Sequence, residues 1–120
     1  MNSGVRAVRG ATQVSDNESE SIRSSVIELV ETLLEKNHLE RSHIISILFS
    51  QTRDVTSLNP ATALRSVGYA EVPLFCTQEP EYDAGEPRMI RVLLTFSTNG
   101  PDEIVPVYLN GAASLRSDLT

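Results

Sequence analysis

Arg91 lies in the middle of PRMIRVLLTF (Pro87–Phe96), between Ile90 and Val92. A guanidinium cannot stand unpaired among apolar side chains, because removing its water costs more than packing returns. Arg91 must therefore meet an anion. Arg9, beside Gly10 in a strand-like segment, and Glu79, shortly after the apolar run VPLFC, are candidates for the same chemistry. Taken singly, Arg9 reads as a solvated strand end, Glu79 as a surface loop residue, and Arg91 with Glu79 as a buried ion pair. Taken together, the three could also form a pocket for a small anion.

Other chemistries lack their residues. No Ser or Cys is matched with a usable His, so no nucleophile–base pair is visible. His38 and His43 flank a turn and look exposed. There is no Gly-rich phosphate loop and no Cys/His pattern with zinc spacing. Cys76 is the single cysteine, which forbids an internal disulfide and agrees with a reducing compartment. An enzyme built from these residues could work without proton transfer or a covalent intermediate, and neither metal nor cofactor is expected.

The net charge of −6 gives no global basic footprint for nucleic acid. Of the ten basic residues only Lys36 is not arginine. Arginine's planar fork suits a carboxylate or phosphate, although codon bias in a GC-rich genome produces the same excess. No run approaches the ~18 apolar residues of a membrane helix, and MNSGVRAVRGAT has no apolar signal core. One cytoplasmic domain over residues 1–120, without membrane or nucleic-acid partners, is the expectation.

The elements that would position these residues follow from periodicity. GVRAVRGAT alternates as a strand, with Gly10 ending or bending it. Asp16 or Asn17 is a candidate N-cap, with Asn17 and Glu20 resembling a capping box. Ile22, Val26, Leu29, Val30, Leu33 and Leu34 recur at helical spacing, which predicts an amphipathic helix from about Asn17 to Lys36. HIISILFS predicts a strand over Ile44–Ser50, buried on both faces. A short helix follows, with Pro60 in its first turn and Gly68 at its C-terminal cap. Val72–Thr77, RMIRVLLTFS and IVPVYL complete five strands, and Pro106 suggests that part of the last lies at an edge. The order is β-α-β-α-β-β-β: an α+β fold with a mixed five-stranded sheet, one long helix and a short one. One helix cannot cover both faces of that sheet, so a homo-oligomer is expected to cover the other.

VRAVRGATQV, NPATALRSVGY, VPLFCTQE, MIRVLL and VYLNGAASLRSDL occur in this order over Val5–Leu119. Together they resemble the monofunctional chorismate mutases of the Bacillus type. The resemblance implies a homotrimer with a pseudo-barrel core and active sites between subunits. It also implies the Claisen rearrangement of chorismate to prephenate, on the route to phenylalanine and tyrosine. Carried onto these motifs, Arg91 would face the ether oxygen and a carboxylate, Arg9 would bind a carboxylate, and Glu79 would orient the ring hydroxyl. Tyr108 would hydrogen-bond a carboxylate and Cys76 would lie near the hydroxyl. Arg65 would reach the cleft from a neighbouring subunit. Leu74 and Phe75 would form part of the wall, and Leu115 and Arg116 would close over the site.

Three positions depart from the family pattern. Asn59 replaces an aromatic wall residue, Thr62 a lysine near the cleft mouth, and Arg53 a frequent proline. Arg53 would restore some of the positive charge lost at Thr62. Two other readings stay open beside the mutase: a trimeric sensor that binds a small carboxylate without catalysis, and an imine deaminase of similar architecture.

Overall fold

The computed structural model describes residues 4–99 and 103–113. Five strands form one sheet: β1 (Gly4–Gln13), β2 (Ile44–Gln51), β3 (Leu74–Gln78), β4 (Met89–Thr98) and β5 (Val107–Leu109). Two helices accompany them, α1 (Ser19–Lys36) and α2 (Pro60–Arg65). The strand order is β3-β2-β4-β1-β5. The β4 strand runs antiparallel to both β1 and β2, while the outer pairs β1–β5 and β2–β3 are parallel. The sheet is mixed, as expected, and β5 is an edge strand with Pro106 just before it.

Helix α1 buries Ile22, Val26, Leu29, Val30, Leu33 and Leu34, the residues its periodicity selects. They share one core with Val8 of β1, Ile47 and Phe49 of β2, and Ile90, Val92, Leu94 and Phe96 of β4. Gly10 is not a strand end. It lies inside β1, where an added Cβ would come within 3.0 Å of Leu33 Cδ1 and 3.2 Å of Leu29 Cδ1. Its missing side chain lets the helix seat closely on the sheet.

The capping-box expectation fails. Helix α1 starts after Glu18, without a side-chain cap. Asn17 instead ties down the loop before α2: its Oδ1 accepts from the backbone N–H of Thr56 (2.9 Å) and Ser57 (3.0 Å). Helix α2 ends at Arg65, short of Gly68, which takes φ +103° in the turn that follows.

Along β1, β2, β3 and β4 alternate residues face away from α1, and among the described residues no layer covers that face. Val5 and Phe75 are each 66% exposed, Leu48 40% and Leu93 39%. The apolar run in β2 therefore does not reflect burial on both faces within one chain. Ile45 is an extra residue at a shift of the β2–β4 register between Ile44 and Ser46, and Leu48 points to the open face.

Candidate active site

Arg91 faces the open side of the sheet, not the core. Its neighbours Ile90 and Val92 are buried under α1, while its own side chain is half exposed. The sequence run looks continuous because Met89 and Leu93, on the same side as Arg91, are also apolar. Pairing across the sheet sets a lateral row on that face: Thr77 opposite Ser50, Ser50 opposite Arg91, Arg91 opposite Ala11, and Ala11 opposite Tyr108. The neighbouring row holds Phe75, Leu48, Leu93 and Arg9. Arg9 and Tyr108 are thus brought to Arg91 by register, with two strand spacings, about 10 Å, between the Tyr108 and Arg91 backbones.

Glu79 arrives by a different route. Its backbone N–H donates to Gln51 O at 2.7 Å, which carries the β2–β3 pairing one rung past the end of β3. That rung turns its carboxylate toward the row. Glu79 Oε1 accepts from Ser50 Oγ at 2.7 Å and lies 3.5 Å from Arg91 Nε. The carboxylate is the more enclosed partner, 17% exposed against 50% for the guanidinium. Among the described residues no hydrogen bond is recorded for Glu79 Oε2, and neither Arg9 nor Tyr108 has a side-chain hydrogen bond or ion pair.

These groups enclose a cavity of about 230 Å³, lined among others by Arg9, Ser50, Glu79, Arg91, Leu93 and Tyr108. Among the described residues, two guanidinium groups face it against one carboxylate. Such a site attracts a small anion although the whole chain is acidic. The Tyr108 end is packed by a small cluster of Ala11, Met89 and Ala112.

Other sequence candidates lie elsewhere. Strand alternation sends Leu74 and Phe75 to opposite faces, so one face cannot present both. Leu74 and Cys76 lie on the α1 side, opposite Ile47 and Phe49, and pack against the core. Cys76 Sγ donates to Asn59 Oδ1 at 3.1 Å. Burial pushes its thiol pKa up, while the Ala61 backbone N–H and the charge of Arg65 pull the other way. Arg65, at the exposed end of α2, belongs with this second group. Leu115 and Arg116 lie outside the described residues. The histidines lie away from the cavity, and His43 Nδ1 accepts from the Glu40 backbone N–H at 2.9 Å.

Two residues gain roles that pattern reading did not assign. Ser50 fixes Glu79, which nothing in its local sequence signals, because the contact depends on the fold of β2 against β3. Asn59 caps α2, accepting from Ala61 N–H at 2.8 Å as well as from Cys76. The Asn-Pro pair at a helix start is the signal for it.

The family description "Chorismate mutase type I" matches residues 5–119. The chain is 36% identical over 118 residues to the chorismate mutase AroH of Bacillus subtilis (strain 168), covering 97% of this chain and 93% of that protein. It is 38% identical over 117 residues to the chorismate mutase AroH of Thermus thermophilus, covering 96% of each. Its fold is similar to the solved chorismate mutase from Clostridium thermocellum, with a TM-score of 0.84, 38% identity and coverage of 91% of this chain and 98% of that one. A match over nearly the whole chain, on a sheet that gathers Arg9, Glu79, Arg91 and Tyr108 around one cavity, makes this protein a member of the type I chorismate mutase family.

Proposed function

We propose that this chain rearranges chorismate to prephenate as a homotrimer, with each active site completed by a neighbouring copy. The observation that carries the reading is the arrangement of polar groups around the cavity. Arg9 and Tyr108 are unengaged among the described residues, and Arg91 is held only loosely by Glu79. Chorismate is a dicarboxylate, and its rearrangement breaks one C–O bond as a C–C bond forms. Negative charge builds on the ether oxygen and the enolpyruvyl fragment as the bond stretches.

Arg91 is the cation aimed at that charge. A fixed donor there stabilises the transition state more than the ground state, which is what accelerates the reaction. Arg9 and Tyr108 take the carboxylates and hold the chair-like conformer, a contribution from positioning. Glu79 keeps Oε1 on Ser50 and offers Oε2 to the ring hydroxyl. No step requires an acid, a base or a covalent bond to the protein.

The trimer finds its support in the open sheet face, where Val5, Leu48, Phe75 and Leu93 lack cover. Arg65, Leu74 and Cys76 lie away from the cavity of their own chain, so a neighbour's α2 and β3 would bring them to it. We propose a cytoplasmic setting, in keeping with the single free thiol. Neither the carboxylate-sensor nor the imine-deaminase reading finds support among the relatives, which are named chorismate mutases.

The test is the loss of chorismate ultraviolet absorbance on adding purified protein, beside an Arg91→Ala control. Saturable turnover to prephenate that vanishes in the control supports the reading. Ligand-induced thermal stabilisation without turnover would replace it with the sensor.

A further inference from the structure

A second cavity, of about 280 Å³, adjoins the first and shares Glu79 and Arg91 with it. It lies against the Pro80–Pro87 segment and is lined by Asp54, Glu81 and Glu86 besides Glu79, with Arg53 and Arg91 as its cations. A dianion approaching Arg91 from this side therefore meets mostly carboxylates. Two of these are already occupied. Glu79 is held by Ser50 and Arg91, and Asp54 accepts from Thr52 Oγ1 and from the Arg88 backbone N–H. A third of the four, Glu81, is joined to Arg53 by a contact of 2.8 Å between Oε1 and Nη1.

That contact differs from the others in exposure. The two side chains are 65% and 70% exposed, and an ion pair so open to water has little net worth and exchanges partners readily. Arg53 can therefore leave Glu81 at little cost for a better-placed anion.

We propose that Arg53 is an exchangeable anion-steering residue at the mouth of the active site: Glu81 holds it while the site is empty and releases it to a carboxylate of the incoming dianion. Arg53 then acts on capture of the substrate, whereas Arg91 acts on the chemical step. Glu81 is the competitor that sets how readily Arg53 is available. This rests on the mutase reading above.

The two partners of the pair should give opposite results, which a loop staple would not. Arg53→Ala should raise the KM for chorismate about threefold to tenfold at low ionic strength, with kcat changed less than about twofold. Glu81→Gln should free Arg53 and lower KM about twofold to threefold. Arg53→Lys should keep most of the effect, since steering needs charge more than fork geometry. The differences should fade toward ~0.5 M salt, where the Debye length falls well below the size of the cavity. If both Arg53→Ala and Glu81→Gln raise KM, the pair is a staple for the loop and the proposal is overturned. It is also overturned if Arg53→Ala leaves KM unchanged while the wild-type protein turns over chorismate. A wild-type protein that does not turn over chorismate sinks the mutase reading itself, and this inference with it.

Discussion

Ser50 donates to the same oxygen of Glu79 that faces Arg91, at 2.7 Å against 3.5 Å for the ion pair. The shorter contact belongs to the neutral hydroxyl, so Ser50 fixes the carboxylate more tightly than the arginine does. Hydrogen bonds to charged groups contribute about 1.5–3 kcal/mol. Ser50→Ala should lower kcat/KM by roughly tenfold or more, while Ser50→Thr, which keeps the hydroxyl, should retain most of the activity. Steady-state kinetics on the two variants decide it. An alanine variant with wild-type kinetics would show that Glu79 needs no such anchor.

Arg91→Lys tests the fork rather than the charge. Lysine keeps a cation on β4 but cannot hold two donors in one plane. On the scale of a lost transition-state donor the variant should lose at least ~3 kcal/mol, seen mainly in kcat. Its thermal stability should change little, because the Arg91 side chain is half exposed and its ion pair with Glu79 is long. A near-wild-type kcat would contradict the role given to Arg91.

A mechanism without proton transfer sets a pH signature. The rate should be nearly flat from about pH 6 to pH 9. Cys76 does not disturb this, since burial raises its pKa and keeps it a thiol that donates to Asn59. A bell-shaped profile with a limb near neutrality would mean that a general acid or base has been overlooked.

Much of the architecture is legible in local pattern. The spacing of Ile22 through Leu34 marks both α1 and its buried face, alternation finds β1, and the apolar run around Arg91 finds β4. The misses have physical causes. Asn17 resembles a cap because Asx residues favour helix starts, but its carboxamide is used by the loop at Thr56 and Ser57, a contact between distant segments. Gly10 looks like a strand end, yet it serves a helix whose approach no local window reveals. Arg91 looks buried because the apolar residues beside it in sequence face both sides of the sheet. The pairing of Glu79 with Ser50 depends on the register between β2 and β3, which short-range spacing does not encode.

Leu48, Leu93 and Phe75 form one lateral apolar row beside Arg9. If this row is where copies of the chain meet, a charge in its middle must be desolvated on assembly. Leu48→Glu should therefore dissociate the proposed trimer and abolish turnover together, as read by light scattering and a parallel assay. The α-helical circular dichroism should persist, because Leu48 points away from α1. A variant that keeps the assembly state of the wild-type protein would move the interface to another surface.

Tyr69 supplies a prediction independent of catalysis. It is fully buried, and its hydroxyl donates to Glu31 Oε2 at 2.6 Å, while the Arg41 guanidinium lies 4.5 Å from its ring centroid. Burial, then the Glu31 hydrogen bond and charge, push its pKa from 10.0 to about 12, with Arg41 pulling the other way. The folded state thus keeps a proton that the unfolded chain loses first. This contribution to stability is complete below pH 10 and is lost as pH rises through about 12. Urea midpoints should fall along that alkaline limb in the wild-type protein and fall less in Tyr69→Phe. At neutral pH the variant should be less stable by about 1 kcal/mol for the lost hydrogen bond. Parallel curves for the two proteins from pH 9 to pH 11.5 would show that Tyr69 does not carry the alkaline transition.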